Sequence, residues 1–144
     1  MAIGSCLCGK IRVESTDEPV ATGLCHCADC RKISGSLFTY SCMFKRTDIK
    51  ITGNAKEIAT TADSGNRIKN FFCPDCGTPL YAVKVVDSGE PSGILILRGG
   101  IFDDIEFLNK RRPSVEVFVR SRVSWVCPLA EVDQFDAAMP LPGR

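Results

Sequence analysis

The stretch CPDCG, residues 73–77, carries the strongest single structural signal in the chain. Two residues separate its cysteines, so both sulfurs can converge on one metal ion. Gly77 permits the backbone turn that aims amide hydrogens at the thiolates. A turn of this kind supplies half of a four-thiolate zinc site. We therefore expect a second cysteine pair, distant in sequence, to complete the site.

The segment CLCG, residues 6–9, fits that second pair, because Gly9 allows it a tight turn of its own. The four ligands of one structural zinc ion would then be Cys6, Cys8, Cys73 and Cys76. Such an ion would tie the N-terminal strand to the middle of the chain. Because structural zinc contributes folding free energy directly, loss of this site is expected to unfold the domain.

The segment CHCADC, residues 25–30, supplies three further cysteines, Cys25, Cys27 and Cys30. Three thiolates leave a tetrahedral ion one ligand short, and a catalytic zinc site keeps such a position for water or substrate. Neighbouring side chains of an extended segment point to opposite faces, so His26 should face away from an ion that Cys25 and Cys27 bind. His26 is then either a hydrogen-bonded structural histidine or a proton acceptor near the ligand.

Two isolated cysteines, Cys42 and Cys127, are alternative fourth ligands of the second site. Cys42 lies in a predicted strand, where a lone cysteine is more often a small buried apolar residue. The sequence leaves open whether either one closes the site.

The length of the chain predicts a single domain, and its charge balance gives no reason to expect a strongly charged partner. The chain has 144 residues, a net charge of +1 and nine cysteines. The odd count and a reducing cytoplasm disfavour disulfides. The N-terminus lacks the pattern of a secretory signal, and the longest apolar run, residues 94–97, is far shorter than a membrane span. We therefore expect a cytoplasmic protein that binds neither membrane nor nucleic acid, with residues 109–113 (NKRRP) a solvated loop.

Short strand-like segments recur between turn signals and predict an all-β domain of antiparallel strands. Residues 48–62 and 85–97 resemble two hairpins, the first turning at Gly53. The alternation at residues 115–120 predicts a half-buried strand with its valines inward and Glu116 outward. One short helix is expected at residues 28–35, and residues 102–114 should form a loop.

The expected domain covers residues 1–127, with Trp125 in its core. Residues 128–144 show little strand pattern and are expected to form a C-terminal tail that packs on the domain or frays from it.

Five stretches together resemble the glutathione-dependent formaldehyde-activating enzyme family, which also includes centromere protein V. They are GSCLCGKIRVE (4–14), CHCADCRKISGS (25–36), FFCPDCGTPLY (71–81), RGGIFDD (98–104) and RVSW (122–125). The resemblance implies a small zinc-bearing β-tent fold. It also implies a structural zinc on the first four cysteines and a second, labile and partly occupied zinc on Cys25, Cys27 and Cys30.

The family resemblance further implies a carbon–sulfur lyase that joins formaldehyde and glutathione to S-hydroxymethylglutathione. Glutathione carries two carboxylates, so the pocket should offer cations, and Arg31 is the first candidate because it adjoins Cys30. The other available cations are Lys32, Arg67, Lys69, Arg98, Arg120 and Arg122. Two alternatives stay open: a non-catalytic interaction module with two structural zinc sites, and a different small-molecule reaction at the open zinc. The oligomeric state is left open as well.

Overall fold

The computed structural model describes residues 1–62 and 65–139 of the chain. The strands are β1 (Ala2–Ser5), β2 (Arg12–Ser15), β3 (Ala21–Cys25), β4 (Thr39–Lys45), β5 (Ile49–Thr52), β6 (Lys56–Thr61), β7 (Arg67–Phe72), β8 (Pro79–Val85), β9 (Pro91–Arg98), β10 (Val115–Val117) and β11 (Asp133–Phe135). The α-helices are α1 (Ala28–Ser34) and α2 (Ile105–Asn109). No helix in these residues has the length and apolar character that a membrane-spanning helix needs.

The strands of the described residues form two sheets, which confirms the all-β prediction. The small sheet has the order β1-β2-β5, and the large one the order β11-β10-β3-β4-β9-β8-β7-β6. Pairing is antiparallel throughout the small sheet and from β3 to β6 in the large one. At the other edge, β10 runs parallel to both β3 and β11, a departure from the expected antiparallel pattern.

One predicted hairpin is confirmed and the other is wrong. Strands β8 and β9 pair as expected. Strands β5 and β6 do not pair, because β5 joins the small sheet and β6 the large one. Gly53 does adopt the positive φ of a tight turn, at 99°. A side chain there would also collide with the backbone of Lys10, so the turn is a crossing between sheets that local sequence does not reveal.

The prediction that Glu116 faces solvent is wrong, since its side chain is 1% exposed. Strand β10 lies between β3 and β11. The Glu116 side chain points to the face of the sheet on which it forms a hydrogen bond with His26. The strand is also shorter than expected, because Phe118 adopts the left-handed conformation at φ 56° and a 3₁₀ turn follows.

The hydrophobic core lies between the two sheets. The outer face of the large sheet lies on the side away from this core. On β4, Cys42 and Phe44 point into this core, as do Leu95 and Leu97 on β9. The alternate residues of the same strands therefore point to the opposite face of the large sheet. That face carries the cavity described below.

Four elements are absent from the sequence-based expectation: strands β1, β3 and β11 and helix α2. Helix α2 lies within the expected loop at 102–114, and Asp104 caps it by accepting a hydrogen bond from the Glu106 amide. Strand β11 lies within the expected tail at 128–144 and extends the large sheet. Trp125 is 73% exposed, so its expected place in the core is also wrong.

Candidate metal centres and the adjoining cavity

The first cysteine cluster joins the two sheets. Cys6 and Cys8 follow β1 of the small sheet, whereas Cys73 and Cys76 lie between β7 and β8 of the large one. All four sulfurs lie within 4.8 Å of one another. The Sγ atoms of Cys6 and Cys8 are 3.5 Å apart, and those of Cys8 and Cys73 are 3.7 Å apart.

Two matching turns arrange these sulfurs. Gly9 and Gly77 have φ values of 76° and 75°, and each donates its amide hydrogen to the carbonyl of the cysteine that opens its turn. The Ile11 amide donates to the Cys6 sulfur over 3.3 Å. At the far side, a hydrogen bond from the Thr78 hydroxyl lowers the pKa of Cys76 to about 5. These amide and hydroxyl donors favour the thiolate forms that a metal needs.

The second cluster lies where β3 ends and α1 begins. The sulfurs of Cys25, Cys27 and Cys30 lie within 4.8 Å of one another. Cys27 caps α1, because its sulfur accepts a hydrogen bond from the Cys30 amide over 3.3 Å, and Gly35 ends the helix at φ 64°. The sequence therefore closes this cluster locally, within one helical turn.

Hydrogen bonds among the three sulfurs of the second cluster favour a thiolate at Cys30. Hydrogen bonds from the Cys25 and Cys27 thiols lower the pKa of Cys30 to about 3, and the charge of Arg98 acts in the same direction. The pKa of Cys25 is raised, since its thiol serves as a donor to the other two sulfurs. A compact group of thiols that supports negative charge matches what a bound cation requires.

The prediction that His26 faces away from the second cluster is confirmed. Its Nε2 lies 2.8 Å from Oε1 of Glu116, on the opposite side of the strand, and both side chains are 1% exposed. Its backbone amide donates to the carbonyl of Val117. His26 therefore anchors the loop that carries Cys25 and Cys27, and does not join their sulfurs.

Neither Cys42 nor Cys127 belongs to the second cluster. Cys42 is fully buried in the hydrophobic core and donates to the Tyr40 hydroxyl over 3.4 Å. Cys127 is exposed and lies outside both clusters. Among the described residues, no other Cys, His, Asp or Glu places a ligand atom in the group of three.

A cavity of about 250 Å³ opens next to the second cluster. Its floor is the outer face of the large sheet. The lining includes Cys25, Cys27, Asp29, Cys30, Thr39, Ser41, Met43, Ile68, Asn70, Ala82, Ile96, Arg98, Val115, Val117, Phe118 and Met139. The lining also includes Leu24, Thr60, Ala62 and Ala138, and over the whole of it apolar side chains predominate. Arg98, Ser41 and Thr39 lie toward the cysteines, whereas Asn70 and Thr60 lie near Ala82 and Ile68.

Strand register orders the lining into rows about 7 Å apart, two residues of rise per row. The row nearest the cluster pairs Cys25 with Thr39. The next pairs Ser41 with Arg98, and the third pairs Met43 with Ile96 and Ile96 with Ala82. The third row continues from Ala82 to Asn70, which accepts from the Arg98 guanidinium. The cavity therefore changes along the strands from thiol to guanidinium to a mainly hydrocarbon row.

Arg98 is a buried cation without an acidic partner among the described residues. Its side chain is 9% exposed. One guanidinium nitrogen donates to Asn70 Oδ1 over 3.0 Å and another to Ser41 Oγ over 3.5 Å, while Nε has no partner. The buried Thr39 hydroxyl favours the thiolate form of Cys30 and lines the same cavity. Because unpaired buried polar groups are costly, the unpartnered Nε of Arg98 indicates a polar ligand.

Arg31, the first candidate from the sequence, does not line the cavity. Its guanidinium donates to the carbonyl of Ser121 over 3.0 Å. Strand alternation in residues 93–98 could have pointed to Arg98, because Ile94, Ile96 and Arg98 share one face of the strand. What the alternation cannot show is which side chains cover that face.

The other cations that the sequence suggested for binding glutathione lie elsewhere in the fold. Lys69 pairs with Glu57 at the surface, Arg122 lies 3.3 Å from Glu116, and Arg120 stacks near the ring of Phe118. Like Lys32 and Arg67, they lie outside the lining of the cavity.

A second concavity, the hydroxyl-lined groove, of about 380 Å³, shares Thr39 and Arg98 with the cavity. The other side chains that line it include the hydroxyl residues Ser34, Ser36, Tyr40 and Thr78. Gly99 is required beside this groove, because a Cβ at that position would collide with the Tyr40 ring at 2.1 Å. Arg98 and Thr39 thus stand between an apolar cavity and a groove rich in hydroxyl groups.

The donor sets fit zinc. Four sulfurs at ~2.3 Å from a tetrahedral ion lie about 3.8 Å apart, close to the spacing within the first cluster. Thiolate-only sites of this kind select soft or borderline ions such as zinc. The second cluster offers three such donors beside an accessible cavity.

Comparison with known proteins agrees with the family resemblance found in the sequence. The family model described as "Glutathione-dependent formaldehyde-activating enzyme" matches residues 1–121. Two curated fungal relatives carry that designation provisionally in their names. A protein of Penicillium rubens is 36% identical over 78 residues, and one of Podospora anserina is 32% identical over 78 residues.

Each match covers 53% of this chain, and the two cover 40% and 36% of the length of the relatives. The matched part therefore spans less than half of each relative. A solved structure of a Rhodobacter sphaeroides protein is 17% identical, with a TM-score of 0.53, over 77% of this chain and 96% of that one. At this identity the likeness shows a shared fold.

Proposed function

Because the chain belongs to the glutathione-dependent formaldehyde-activating enzyme family, we propose that it is a zinc-dependent enzyme of the carbon–sulfur lyase type that acts on glutathione adducts. The observation that supports this most is the convergence of three cysteines at one end of a cavity, with no fourth protein ligand in the described residues. A closed structural site would have four ligands.

The reaction that fits this arrangement is the addition of glutathione to formaldehyde, or its reverse. The sulfur of glutathione forms a bond to the carbonyl carbon, the carbon–oxygen π bond breaks, and the oxygen takes up a proton. Zinc held by Cys25, Cys27 and Cys30 would supply a lowered thiol pKa, so that sulfur is present as thiolate near neutral pH. Cys6, Cys8, Cys73 and Cys76 would hold a second, structural ion.

Arg98 and Thr39 are the proposed substrate-binding residues of the chain. The guanidinium can bind a carboxylate of glutathione, because it is buried, charged and lacks an acidic partner in the described residues. The peptide part of glutathione has amide groups that suit the hydroxyl-lined groove on the other side of Arg98. We place the reaction in the cytoplasm, where thiols stay reduced.

The test is to measure zinc per chain and its response to chelator and glutathione. We expect two ions, of which chelator removes one without unfolding the protein, and glutathione should alter the absorption of a cobalt-substituted second site. Cys27→Ser should abolish the labile ion and the activity while the chain stays folded. Cys127→Ser is the matched control, since that cysteine is exposed and outside both clusters.

The opposite outcome would favour a non-catalytic interaction module. Two equally tight ions, with no spectral change on adding glutathione, would identify both clusters as structural. The proposed enzyme would then be wrong even though the family assignment stands.

A further inference from the structure

The cavity beside the second cluster is larger and more apolar than formaldehyde requires. Formaldehyde adds one carbon to the sulfur of glutathione, and that carbon would lie at the cysteines. The row that holds Met43, Ile96 and Ala82 lies two rows from the cysteines, beyond Arg98. A hydroxymethyl group reaches none of these side chains, since the rows are about 7 Å apart.

The polar parts of glutathione do not need the apolar end of the cavity. That end is therefore available to another part of the ligand. The hydroxyl-lined groove and Arg98 already provide for the amides and a carboxylate of glutathione. The far wall offers hydrocarbon from Met43, Ile68, Ala82 and Ile96. The polar side chains at that end are already engaged, because the Asn70 amide donates to the Thr60 hydroxyl and the Asn70 oxygen accepts from Arg98. A polar group placed against the hydrocarbon would lose water without gaining partners, whereas a hydrocarbon chain gains from leaving water.

We infer that the carbonyl substrate of this chain is an aldehyde with an apolar side chain, which occupies the cavity between Arg98 and Ala82. The inference rests on the proposed function and names its substrate class. The thiolate of glutathione attacks the aldehyde carbon, a carbon–sulfur bond forms, and the carbonyl π electrons pass to oxygen, which takes a proton from water. The product is a hemithioacetal, with no change in oxidation state and no further reactant.

Binding of unreactive S-alkylglutathiones to the zinc-loaded protein tests this without turnover. Each methylene that enters the cavity should tighten binding by roughly fourfold. S-butylglutathione should therefore bind at least about tenfold more tightly than S-methylglutathione in calorimetry. An affinity that does not depend on chain length would overturn the inference.

A cavity-filling substitution supplies the matched test. Ala82 lines the cavity and is buried, so Ala82→Leu should weaken S-butylglutathione by about tenfold and leave S-methylglutathione unchanged. Ala59→Leu adds the same volume at an exposed position of β6 outside the cavity and should change neither affinity. If Ala82→Leu does not fold, Ile96→Ala enlarges the same wall and should move the best chain length upward.

Turnover separates the inference from the proposed function. Magnetization-exchange NMR of aldehyde with glutathione should show greater acceleration for butanal than for formaldehyde, and Ala82→Leu should reverse that order. Faster exchange with formaldehyde in both proteins would overturn the inference and leave the proposed function intact. If glutathione itself neither binds nor reacts, the proposed function fails and the inference fails with it.

Discussion

A buried pair, Glu116 and His26, fixes the backbone that carries the second cysteine cluster. One carboxylate oxygen lies 2.8 Å from His26, and the other accepts hydrogen bonds from the Leu129 amide and the Gln134 side chain. Arg122 lies 3.3 Å from the same oxygen. Burial raises the pKa of Glu116, but these donors and the charge of Arg122 outweigh it and hold the pKa below its ordinary value.

Glu116→Gln should reduce the free energy of unfolding by about 1–3 kcal/mol at neutral pH, because it removes charge-assisted hydrogen bonds. A carboxyl group whose pKa is lowered on folding stabilises the protein above its unfolded pKa, and this contribution disappears as pH falls through the folded pKa. The difference between wild type and variant should therefore be greatest near neutral pH and shrink in acid. Urea unfolding from roughly pH 2 to pH 7 measures it, since the loss lies below the ordinary carboxyl pKa.

The control is Glu90→Gln at an exposed position, which should leave unfolding unchanged. A gap between wild type and Glu116→Gln that stays constant with pH would contradict the ionised state of Glu116.

At the level of elements, strand β11 joins residues beyond 127 to the site. Gln134 and the Leu129 amide both contact Glu116, and the Ala137 carbonyl accepts a hydrogen bond from the Phe118 amide. Ala138 and Met139 line the cavity. The domain boundary that the sequence predicts at residue 127 would therefore exclude residues that form part of the cavity wall.

A chain that ends at residue 127 should lose roughly 3 kcal/mol of stability or more, because three hydrogen bonds and the partner of the β10 edge are removed. A chain that ends at 139 keeps every contact named above and should match the full chain. Thermal unfolding followed by circular dichroism compares the three. Equal melting temperatures for all of them would contradict this and favour the fraying tail that the sequence left open.

For the whole molecule, the first cysteine cluster brings residues of the two sheets together at one point. Its two halves come from the small sheet and from the turn between β7 and β8. The core that the sheets share includes Val13 of the small sheet and Phe44 and Leu95 of the large one. An ion bound by all four sulfurs would therefore stabilise the packing of one sheet on the other.

Cys76→Ser should unfold the protein, because structural zinc contributes about 10 kcal/mol or more, as much as the entire stability of a typical domain. Zinc content should fall and the cooperative unfolding transition should be lost. Cys127→Ser should behave as wild type. A folded Cys76→Ser protein with one ion remaining would show that the core alone holds the sheets together.

Much of the site could be predicted from local sequence, because short-range spacing fixes it. Three features follow from a few consecutive residues: the turns at Gly9 and Gly77, the grouping of Cys25, Cys27 and Cys30, and the orientation of His26 away from their sulfurs. Most strands follow from alternation in the same way. These features depend on backbone geometry that each segment adopts by itself.

The tertiary structure decided which side chains cover each face of a strand. The same alternation that located β9 and β10 could not tell that Arg98 lines a cavity or that Glu116 is buried against His26. Those positions depend on the pairing of Ser41 with Arg98, and of Leu24 with Glu116, across segments far apart in the chain. The sequence by itself thus determined the cysteines of the two clusters, whereas the cavity beside the second cluster arose only from strand order, because long-range register sets which side chains meet.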